Sequence, residues 1–340
     1  MRVIQVGPEG IHLSNFCKSI RDHIGDFGYI GETTFEIHGA SSKIIAPFRG
    51  FDLFSWLKSF RIIHQYLKRE RPSLIHIHQI NRLAFFVTII AKRLRIPIVS
   101  TAWGSDVLLV PQKSFLHKFI AHFVLKNSQV ITCDSLQMKS VIQKMTSLHQ
   151  VIHCLQYGIS PVQPENKEKL IYSNRLHKPL YRIDLIIRLF ADFYKNNKDW
   201  KLIIGAEGES TNELKLLAEQ LLPSSAYEFV GWLNAELNAH WYAKSSIYVS
   251  LPESDGTSIS LLEAMSADCV PIVPNLAVSY EWIESGKNGI VYKENSNPFL
   301  EALKIDTVIC KQINQKIISD RALRSTTSQM FYSIYKSVVK

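Results

Sequence analysis

Residues 247–265, IYVSLPESDGTSISLLEAM, contain a short β-branched run, a loop of small polar residues and an apolar helical segment in direct succession. The run Ile247–Ser250 is typical of a buried strand, and Ser258–Ser266 is typical of a helix. A strand that leads through a tight loop into a helix is the repeating unit of a parallel α/β sheet. The stretch therefore predicts a doubly wound α/β domain.

The same unit recurs along the chain of 340 residues. In the first half, predicted strands are 2–6, 74–78, 96–101, 129–133 and 151–154, and predicted helices are 13–25, 51–70, 82–94 and 114–126. In the second half, predicted strands are 169–172, 201–204, 227–230, 247–250, 270–273 and 289–292, and predicted helices are 184–195, 211–220, 235–243 and 258–266. These strands are hydrophobic throughout, as burial on both faces of a parallel sheet requires. We therefore expect two Rossmann-like domains.

A segment rich in proline and charge, Gly158–Lys169 (GISPVQPENKEK), is typical of a linker between the two domains. We place an N-terminal domain at residues 1–160 and a C-terminal domain at residues 161–318. A final helix in residues 319–340 has no fixed placement, and a return to the N-terminal domain is among the alternatives. The carboxyl ends of two such sheets would border a cleft, where ligands of parallel sheets bind.

Composition excludes several classes of protein. Hydrophobic residues make up 46% of the chain and charged residues 20%, which is normal for a globular protein and argues against disorder. The longest apolar run, 83–91, is shorter than the ~20 residues of a membrane helix. Five scattered cysteines without a CxxC pair argue against a disulfide scaffold and fit a reducing cytosol. We expect a cytoplasmic protein.

The net charge of +9 is confined to the first half. Residues 1–150 contain 19 Lys and Arg against 9 Asp and Glu, whereas residues 151–340 contain 20 against 21. The asymmetry indicates a polyanionic partner, with a solvated basic face as the structural alternative. No nucleic-acid motif accompanies it. Basic and apolar residues interleave in 51–71 and 115–126, which favours peripheral binding at an anionic membrane surface over nucleic acid.

The loop inside the opening stretch is the strongest candidate site. Thr257 or Ser258 can cap the helix that follows the turn at Gly256, and the free amides of a helix start suit a diphosphate. Asp255 and Glu263 lie on either side of that helix start. Their carboxylates can accept hydrogen bonds from hydroxyls of a sugar or ribose while the amides hold phosphate.

This loop resembles the acid-x7-Glu signature of glycosyltransferase family 4, whose members are retaining enzymes with the GT-B fold. Asp255 matches the first acid and Glu263 the second. The resemblance implies that Glu263 holds the nucleotide ribose, and that Asp255 and the loop amides hold the donor sugar. The wording SDGTSxSLLEAM is similar to a subgroup that acts in bacterial surface polysaccharide assembly.

A cation for the diphosphate is predicted at Arg175, just after the strand 169–172, where a guanidinium can bind phosphate with two hydrogen bonds. Its segment resembles the Gly-Arg-Leu…Lys-Gly-x-Asp element of the family, in which Arg and Lys stabilise the leaving nucleoside diphosphate. Tyr181 stands at the Lys position and Arg182 at the Gly position. The identity of the second phosphate-binding residue is therefore open between Lys178, Tyr181 and Arg182.

Two glycine loops complete the predicted donor site by resemblance. Gly205 follows the strand 201–204 and matches the family's Gly-x-Gly loop. Gly231 and Trp232 follow the strand 227–230 and match the region beside the nucleotide base. For each of them, a plain turn is the structural alternative.

The acceptor is expected at the first domain. By resemblance, the loop after the first strand, with Gly10 and His12, lies near the donor phosphates and the acceptor. His78 ends the strand 74–78 and either faces the cleft or is a buried core histidine.

A second acceptor-side loop, Trp103-Gly104-Ser-Asp106, follows the strand 96–101. Many relatives have His-Gly there, and indole cannot replace histidine in acid–base work. Asp106 is the nearest group that could act on a substrate, with a helix cap as the alternative.

The family resemblance implies a retaining glycosyltransferase that uses a nucleotide sugar, most often a UDP-sugar in this family, and a glycan or lipid-linked acceptor. No metal or cofactor is expected, since no DxD element or metal-ligand spacing is present. The alternative is a non-catalytic nucleotide-sugar-binding subunit, suggested by Trp103, Tyr181, Arg182 and by Asp268, where relatives have Gly.

Overall fold

The computed structural model describes residues 1–34, 37, 39–48, 52–146 and 150–339. Phe51, the first residue of one predicted helix, lies outside the described residues. The chain forms two compact units. Unit 1 consists of Met1–Gly158 together with Arg324–Lys340, and unit 2 of Ile159–Leu323.

Unit 1 is built on a parallel sheet of seven strands, in the order β3-β2-β1-β4-β5-β6-β7. The strands are β1 (Val3–Val6), β2 (Phe27–Gly31), β3 (Ala40–Ile45), β4 (Leu74–His78), β5 (Ile98–Thr101), β6 (Val130–Cys133) and β7 (Val151–Cys154). Its helices are α1 (Ile11–Ile24), α2 (Leu53–Glu70), α3 (Arg82–Leu94), α4 (Ser105–Leu108), α5 (Val110–Lys113), α6 (Phe115–Lys126), α7 (Leu136–Thr146) and, from the far end of the chain, α14 (Arg324–Val338).

Unit 2 has a parallel sheet of six strands, in the order β10-β9-β8-β11-β12-β13. The strands are β8 (Glu168–Ser173), β9 (Lys201–Gly205), β10 (Tyr227–Gly231), β11 (Ser245–Val249), β12 (Val270–Val273) and β13 (Ile290–Val291). Its α-helices are α8 (Ile183–Tyr194), α9 (Thr211–Leu221), α10 (Ala235–Lys244), α11 (Ile259–Ser266), α12 (Pro298–Ala302) and α13 (Thr307–Arg321). The predicted pair of Rossmann-like domains is confirmed.

Each sheet is covered on both faces, as its uniformly apolar strands require. In unit 1, one buried cluster joins the sheet to α2, α3, α6 and α7, and another joins it to α1 and α14. Helix α14 lies along α1, where the rings of Phe16 and Phe331 are 4.9 Å apart and those of His23 and Tyr332 stack at 5.4 Å. The final helix therefore completes the core of unit 1.

Some elements differ from those expected. The strands β2 and β3 were not predicted, because FGYIG contains two glycines and ASSKII alternates polar and apolar residues. The predicted helix from Ser319 begins instead at Arg324, since α13 ends at Arg321. Among the described residues, no helix combines the length and apolar content needed to cross a membrane.

The topology of both sheets has one functional consequence. The strand order reverses between β1 and β4 in unit 1 and between β8 and β11 in unit 2. In open parallel sheets, the loops that leave the carboxyl ends of such a pair of strands diverge and leave room for a ligand. The loops after β8 and β11 are the segments that contain Arg175 and Asp255.

Candidate donor and acceptor sites

Arg175 and Asp255 meet at the point of strand reversal in unit 2. An Nη2 atom of Arg175 lies 2.9 Å from Oδ2 of Asp255, and Nη1 donates to Oγ of Ser258 at 2.6 Å. The two charged side chains keep 12% and 24% of their surface exposed, so the pair is mostly buried but reachable. The predicted cation and the predicted acidic loop are thus brought together.

The surroundings keep this arginine charged. Burial lowers the pKa of Arg175, but Asp255 and the hydroxyls of Tyr248 and Tyr181 outweigh burial and raise it above the ordinary value. Burial raises the pKa of the Asp255 carboxyl, and the adjacent guanidinium opposes that rise. The result is a fixed positive group at the carboxyl edge of the sheet, suited to phosphate oxygens.

Helix α11 begins at the same cluster. Ser258 is its N-cap and accepts from the backbone N–H of Leu261 at 3.4 Å, while the same oxygen receives Arg175. Thr257 is buried and accepts from Nε1 of Trp282 at 3.1 Å. Asp255, Gly256, Thr257 and Ser258 line a small pocket together with Trp282. The helix start therefore opens into a pocket beside a buried cation.

Glu263 lies one turn further along α11 and is half-buried. Burial, Tyr248 and the charge of Glu263 raise the pKa of Tyr172, and burial, Tyr248 and Glu263 likewise raise the pKa of Tyr242. The carboxylate thus lies within electrostatic reach of two tyrosine hydroxyls.

The segment after Arg175 differs from what the family resemblance suggests. The guanidinium carbon of Arg175 lies 4.4 Å from the centre of the Tyr181 ring, so Tyr181 supports Arg175 with its π face. Lys178 and Arg182 line a different cavity, formed with residues of α8 and α9 and with Glu253. Of the three residues open for a second phosphate contact, Tyr181 is the one that lies against Arg175.

Two departures from the family pattern have a backbone explanation. Arg182 has φ +50° and Asp268 has φ +63°, a left-handed conformation that glycine adopts most easily. Asp268 is held by Lys311 at 2.5 Å and by Nε2 of Gln315 at 2.9 Å. Both residues thus occupy turns where relatives have glycine, and side-chain contacts hold Asp268 in its turn.

The two predicted glycine loops lie side by side. The amide of Ala206, next to Gly205, donates to the carbonyl of Gly231 at 2.8 Å, and Gly231 has φ +67°. Trp232 follows with 70% of its surface exposed. The loops after β9 and β10 therefore present an indole ring at the carboxyl edge of the sheet.

Two groups of residues near this site were missed from the sequence. His177 is buried and links the Gly205 carbonyl at 3.2 Å to Oγ1 of Thr211 at 2.9 Å. Asn174 donates to Oδ1 of Asn238 at 2.9 Å and to the Tyr242 hydroxyl at 2.8 Å. Both neighbour Arg175 in sequence, which was the one available signal. They tie its loop to α9 and α10.

A cap substitution tests whether Ser258 has two roles. Ser258→Ala removes the N-cap of α11, which should lower the free energy of unfolding by about 1 kcal/mol. It also removes the oxygen that accepts a hydrogen bond from Arg175. We expect the KM for the donor to rise as well. Asp306→Ala is the matched control, because Asp306 caps α13 by accepting from the amides of Val308 and Ile309. An equal change of KM in both variants would contradict the second role.

In unit 1, the two predicted acceptor-side loops approach each other. The rings of His12, exposed in the first turn of α1, and Trp103 are 6.4 Å apart and nearly perpendicular. Although the side chain keeps an exposed surface, partial desolvation lowers the pKa of His12, which favours the neutral imidazole. Gly10 has open space beside its Cα, and Gly104 has φ +116°. An imidazole and an indole edge therefore border one surface after β1 and β5.

Asp106 takes a different part from the one expected. It is buried, and its carboxylate accepts from the backbone amides of Ile80 at 2.8 Å, Trp103 at 3.0 Å and Gly104 at 2.9 Å. Burial raises its pKa to about 6, against the lowering by these amides. The geometry favours a positioning role, in which Asp106 fixes the turn that presents Trp103, over direct contact with a substrate.

His78 is a buried core histidine, so its assignment to the acceptor side is wrong. It is fully buried, with one ring nitrogen bound to the Tyr157 hydroxyl and the other 2.7 Å from Oε1 of Gln5. Burial and the neighbouring His76 hold the pKa of His78 well below its usual range. The Tyr157 hydroxyl also accepts a hydrogen bond from Nε1 of Trp103 at 2.9 Å. His78 is therefore linked to Trp103 through Tyr157.

Each of the two units contains a match to a known protein family. Residues 159–324 match the family described as "Glycosyl transferases group 1", and residues 31–135 match "Glycosyl transferase 4-like". The uncharacterized glycosyltransferase MJ1069 of Methanocaldococcus jannaschii is 33% identical over 134 residues, which cover 39% of this chain and 34% of that protein. The uncharacterized glycosyltransferase MJ1178 of the same organism is 21% identical over 309 residues, which cover 86% of this chain and 82% of that protein.

Solved structures resemble the whole chain. Anabaena Alr3699/HepE, in complex with UDP and glucose, superposes with a TM-score of 0.79 at 14% identity and covers 99% of this chain and 100% of its own. The lipopolysaccharide outer core galactosyltransferase WaaB, in its apo form, gives a TM-score of 0.73 at 14% identity, with the same coverage. At this identity the likeness concerns the fold. Together with the two matched domains, the likeness shows that the chain has the GT-B fold of these glycosyltransferases.

Proposed function

We propose that this chain is a retaining glycosyltransferase that moves a sugar from a UDP-sugar to a glycan or lipid-linked acceptor in surface polysaccharide or lipopolysaccharide assembly. The observation that carries the proposal is the cluster of Arg175, Asp255 and Ser258 at the strand reversal of unit 2. UDP in the Anabaena relative and the galactosyltransferase description of WaaB support the donor and the pathway.

The proposed diphosphate site is built from the chain's own groups. Arg175 and the first amides of α11 supply positive charge toward phosphate oxygens. Asp255 and Glu263 supply acceptors for hydroxyls of the donor sugar and the ribose. Trp232 offers a face for the base. Because protein groups provide the charge, we propose that transfer needs neither a metal ion nor a cofactor.

The proposed reaction proceeds on one face of the donor sugar. The bond between the anomeric carbon and the leaving phosphate oxygen breaks, and an acceptor hydroxyl oxygen bonds to that carbon from the same side. The hydroxyl proton passes to the departing phosphate oxygen, and UDP leaves. Arg175 stabilises the charge that develops on the leaving group, which is the largest contribution such a site can make.

The acceptor is proposed to meet unit 1 at His12 and Trp103, with Asp106 holding the Trp103 turn. A neutral imidazole and an indole edge suit the hydroxyls and apolar faces of a sugar. A lipid-linked acceptor would bring the protein to the inner face of the cytoplasmic membrane. The basic excess of residues 1–150 supports that location.

Nucleotide binding and turnover test the proposal separately. We expect UDP and one or more UDP-sugars to raise the melting temperature by about 5 °C at 100 times the Kd, because ligand binding stabilises the folded state. Sugar transfer should persist in EDTA, and NMR of the product should show the donor's anomeric configuration. The absence of any shift with nucleoside diphosphates would exclude the donor site. Binding without transfer to any acceptor would favour the non-catalytic subunit.

A further inference from the structure

Apolar side chains are exposed at the starts of two helices in unit 1. Phe54 in α2 and Phe115 in α6 keep 86% and 87% of their surface in solvent. Their apolar neighbours on the same two helix starts are also exposed: Leu53, Leu57, Leu116 and Phe119. Single exposed hydrophobic residues are common, but a cluster of them marks an interaction surface.

The two helix starts belong to one continuous surface, because α3 lies between them. On the α2 side, the Trp56 and Phe86 rings are 5.7 Å apart, and the Arg82 guanidinium lies 5.1 Å from the Trp56 ring. On the α6 side, the Phe85 and Phe119 rings are 5.9 Å apart. We call this surface, formed by α2, α3 and α6, the aromatic face.

The aromatic face carries a strong positive charge. The sequences of α2, α3 and α6 contain nine Lys and Arg residues and one acidic residue, Glu70. Cations also contact the aromatic rings: Lys92 lies 5.7 Å from the Phe123 ring and Arg93 lies 5.8 Å from the Phe60 ring. Lys58 and Lys118 are exposed beside the apolar tips.

Charge and apolar exposure together select the partner. A nucleic acid would neutralise the cations but would leave the leucine and phenylalanine tips in water. A bilayer with anionic headgroups satisfies both, since apolar tips enter the headgroup boundary while lysines and arginines meet lipid phosphates. The three helices begin at the carboxyl edge of the parallel sheet, which is also the edge of the His12 and Trp103 loops.

We propose that the aromatic face binds an anionic lipid bilayer, with Phe54 and Phe115 inserted at the headgroup boundary. The inference gives the proposed membrane location a defined surface, and its link to a lipid-borne acceptor rests on the proposed function. Docking by this face brings the carboxyl edge of unit 1 to the membrane, where an acceptor sugar on a lipid would be presented.

Vesicle co-sedimentation of the full chain tests the proposal. We expect binding to vesicles of phosphatidylcholine and phosphatidylglycerol in equal parts, and much weaker binding to phosphatidylcholine alone. Raising the ionic strength from about 0.1 to 1 M shortens the Debye length from about 10 to 3 Å and should weaken binding. The Phe54→Ala/Phe115→Ala variant should lose about tenfold or more in partition coefficient. Leu216→Ala/Val308→Ala removes two exposed apolar residues of unit 2 and is the matched control.

The outcomes separate this inference from the proposed function. Equal vesicle binding by the phenylalanine variant and the wild type would overturn the inference, as would binding to neutral vesicles that salt does not change. A concentration-dependent dimer in sedimentation velocity, lost in the phenylalanine variant while vesicle binding is absent, would assign the face to a second copy and also overturn it. The UDP-induced thermal shift should be the same in every variant, so a failure of membrane binding leaves the donor site intact.

Discussion

Arg175→Ala is expected to lower kcat/KM for the nucleotide sugar by about 1,000-fold, because loss of one preorganised donor to a developing anion has that effect. The guanidinium is held in place by Asp255 at 2.9 Å and Ser258 at 2.6 Å, with the Tyr181 ring beneath it. Its side chain therefore needs little reorganisation to meet a leaving diphosphate. Steady-state kinetics with the identified donor measures the effect.

Two further variants define what Arg175 contributes. Arg175→Lys keeps the charge but loses the planar fork, and an intermediate loss is expected. Arg188→Ala removes an exposed arginine of α8 in the same unit and should retain the wild-type rate. A nearly wild-type rate for Arg175→Ala would refute the assigned role, whereas an equal loss for Arg188→Ala would indicate a general charge effect.

The second prediction concerns the stability of unit 1 at acidic pH. Burial lowers the pKa of His76 to about 3, and burial with His76 lowers that of His78 well below 6.5. The unfolded chain takes up a proton on each histidine below pH about 6.5, but folded unit 1 does not. Stability from the neutral histidines is thus complete above pH 6.5 and declines as the pH falls. The free energy of unfolding should drop by about 1.4 kcal/mol per pH unit for each histidine.

Hydrogen exchange of β4 between pH 7 and 5 measures this slope above the range where most carboxylates titrate. The His76→Gln/His78→Gln variant should have a shallower slope, although it loses stability at neutral pH with its hydrogen bonds. His117→Gln, at an exposed histidine of α6, is the control and should keep the wild-type slope. An unchanged slope in the double variant would show that groups other than these two histidines take up the protons on unfolding.

The donor-side cluster was largely foreseeable. Arg175 and Asp255 each follow an apolar run, and the carboxyl ends of parallel strands share one edge of the sheet. What the sequence lacked was the strand order, which makes β8 and β11 neighbours and brings the two side chains into contact. The stacking of Tyr181 on Arg175 depends on a 3-10 turn, Pro179–Tyr181, which residue spacing does not specify.

The acceptor side was less predictable because its environment is assembled from distant segments. His76 and His78 alternate along β4, and the local pattern leaves open whether His78 faces the cleft or the core. Both are covered, since Tyr335 of α14 reaches His76 at 2.5 Å across 259 positions of sequence and Tyr157 binds His78. Asp106 combines a local cap with the amide of Ile80, 26 positions away. Such contacts follow from tertiary packing, which a local pattern does not encode.

The return of α14 to unit 1 determines the order in which the protein can be built on the ribosome. The strands of unit 1 are synthesised first, yet Phe16 and His76 lack Phe331 and Tyr335 until all of unit 2 has been translated. Unit 2 is continuous in sequence and can close its own core earlier, because domains fold as units during synthesis. The apolar surface of α1 that α14 covers in the folded protein therefore lacks its partner until synthesis is nearly complete.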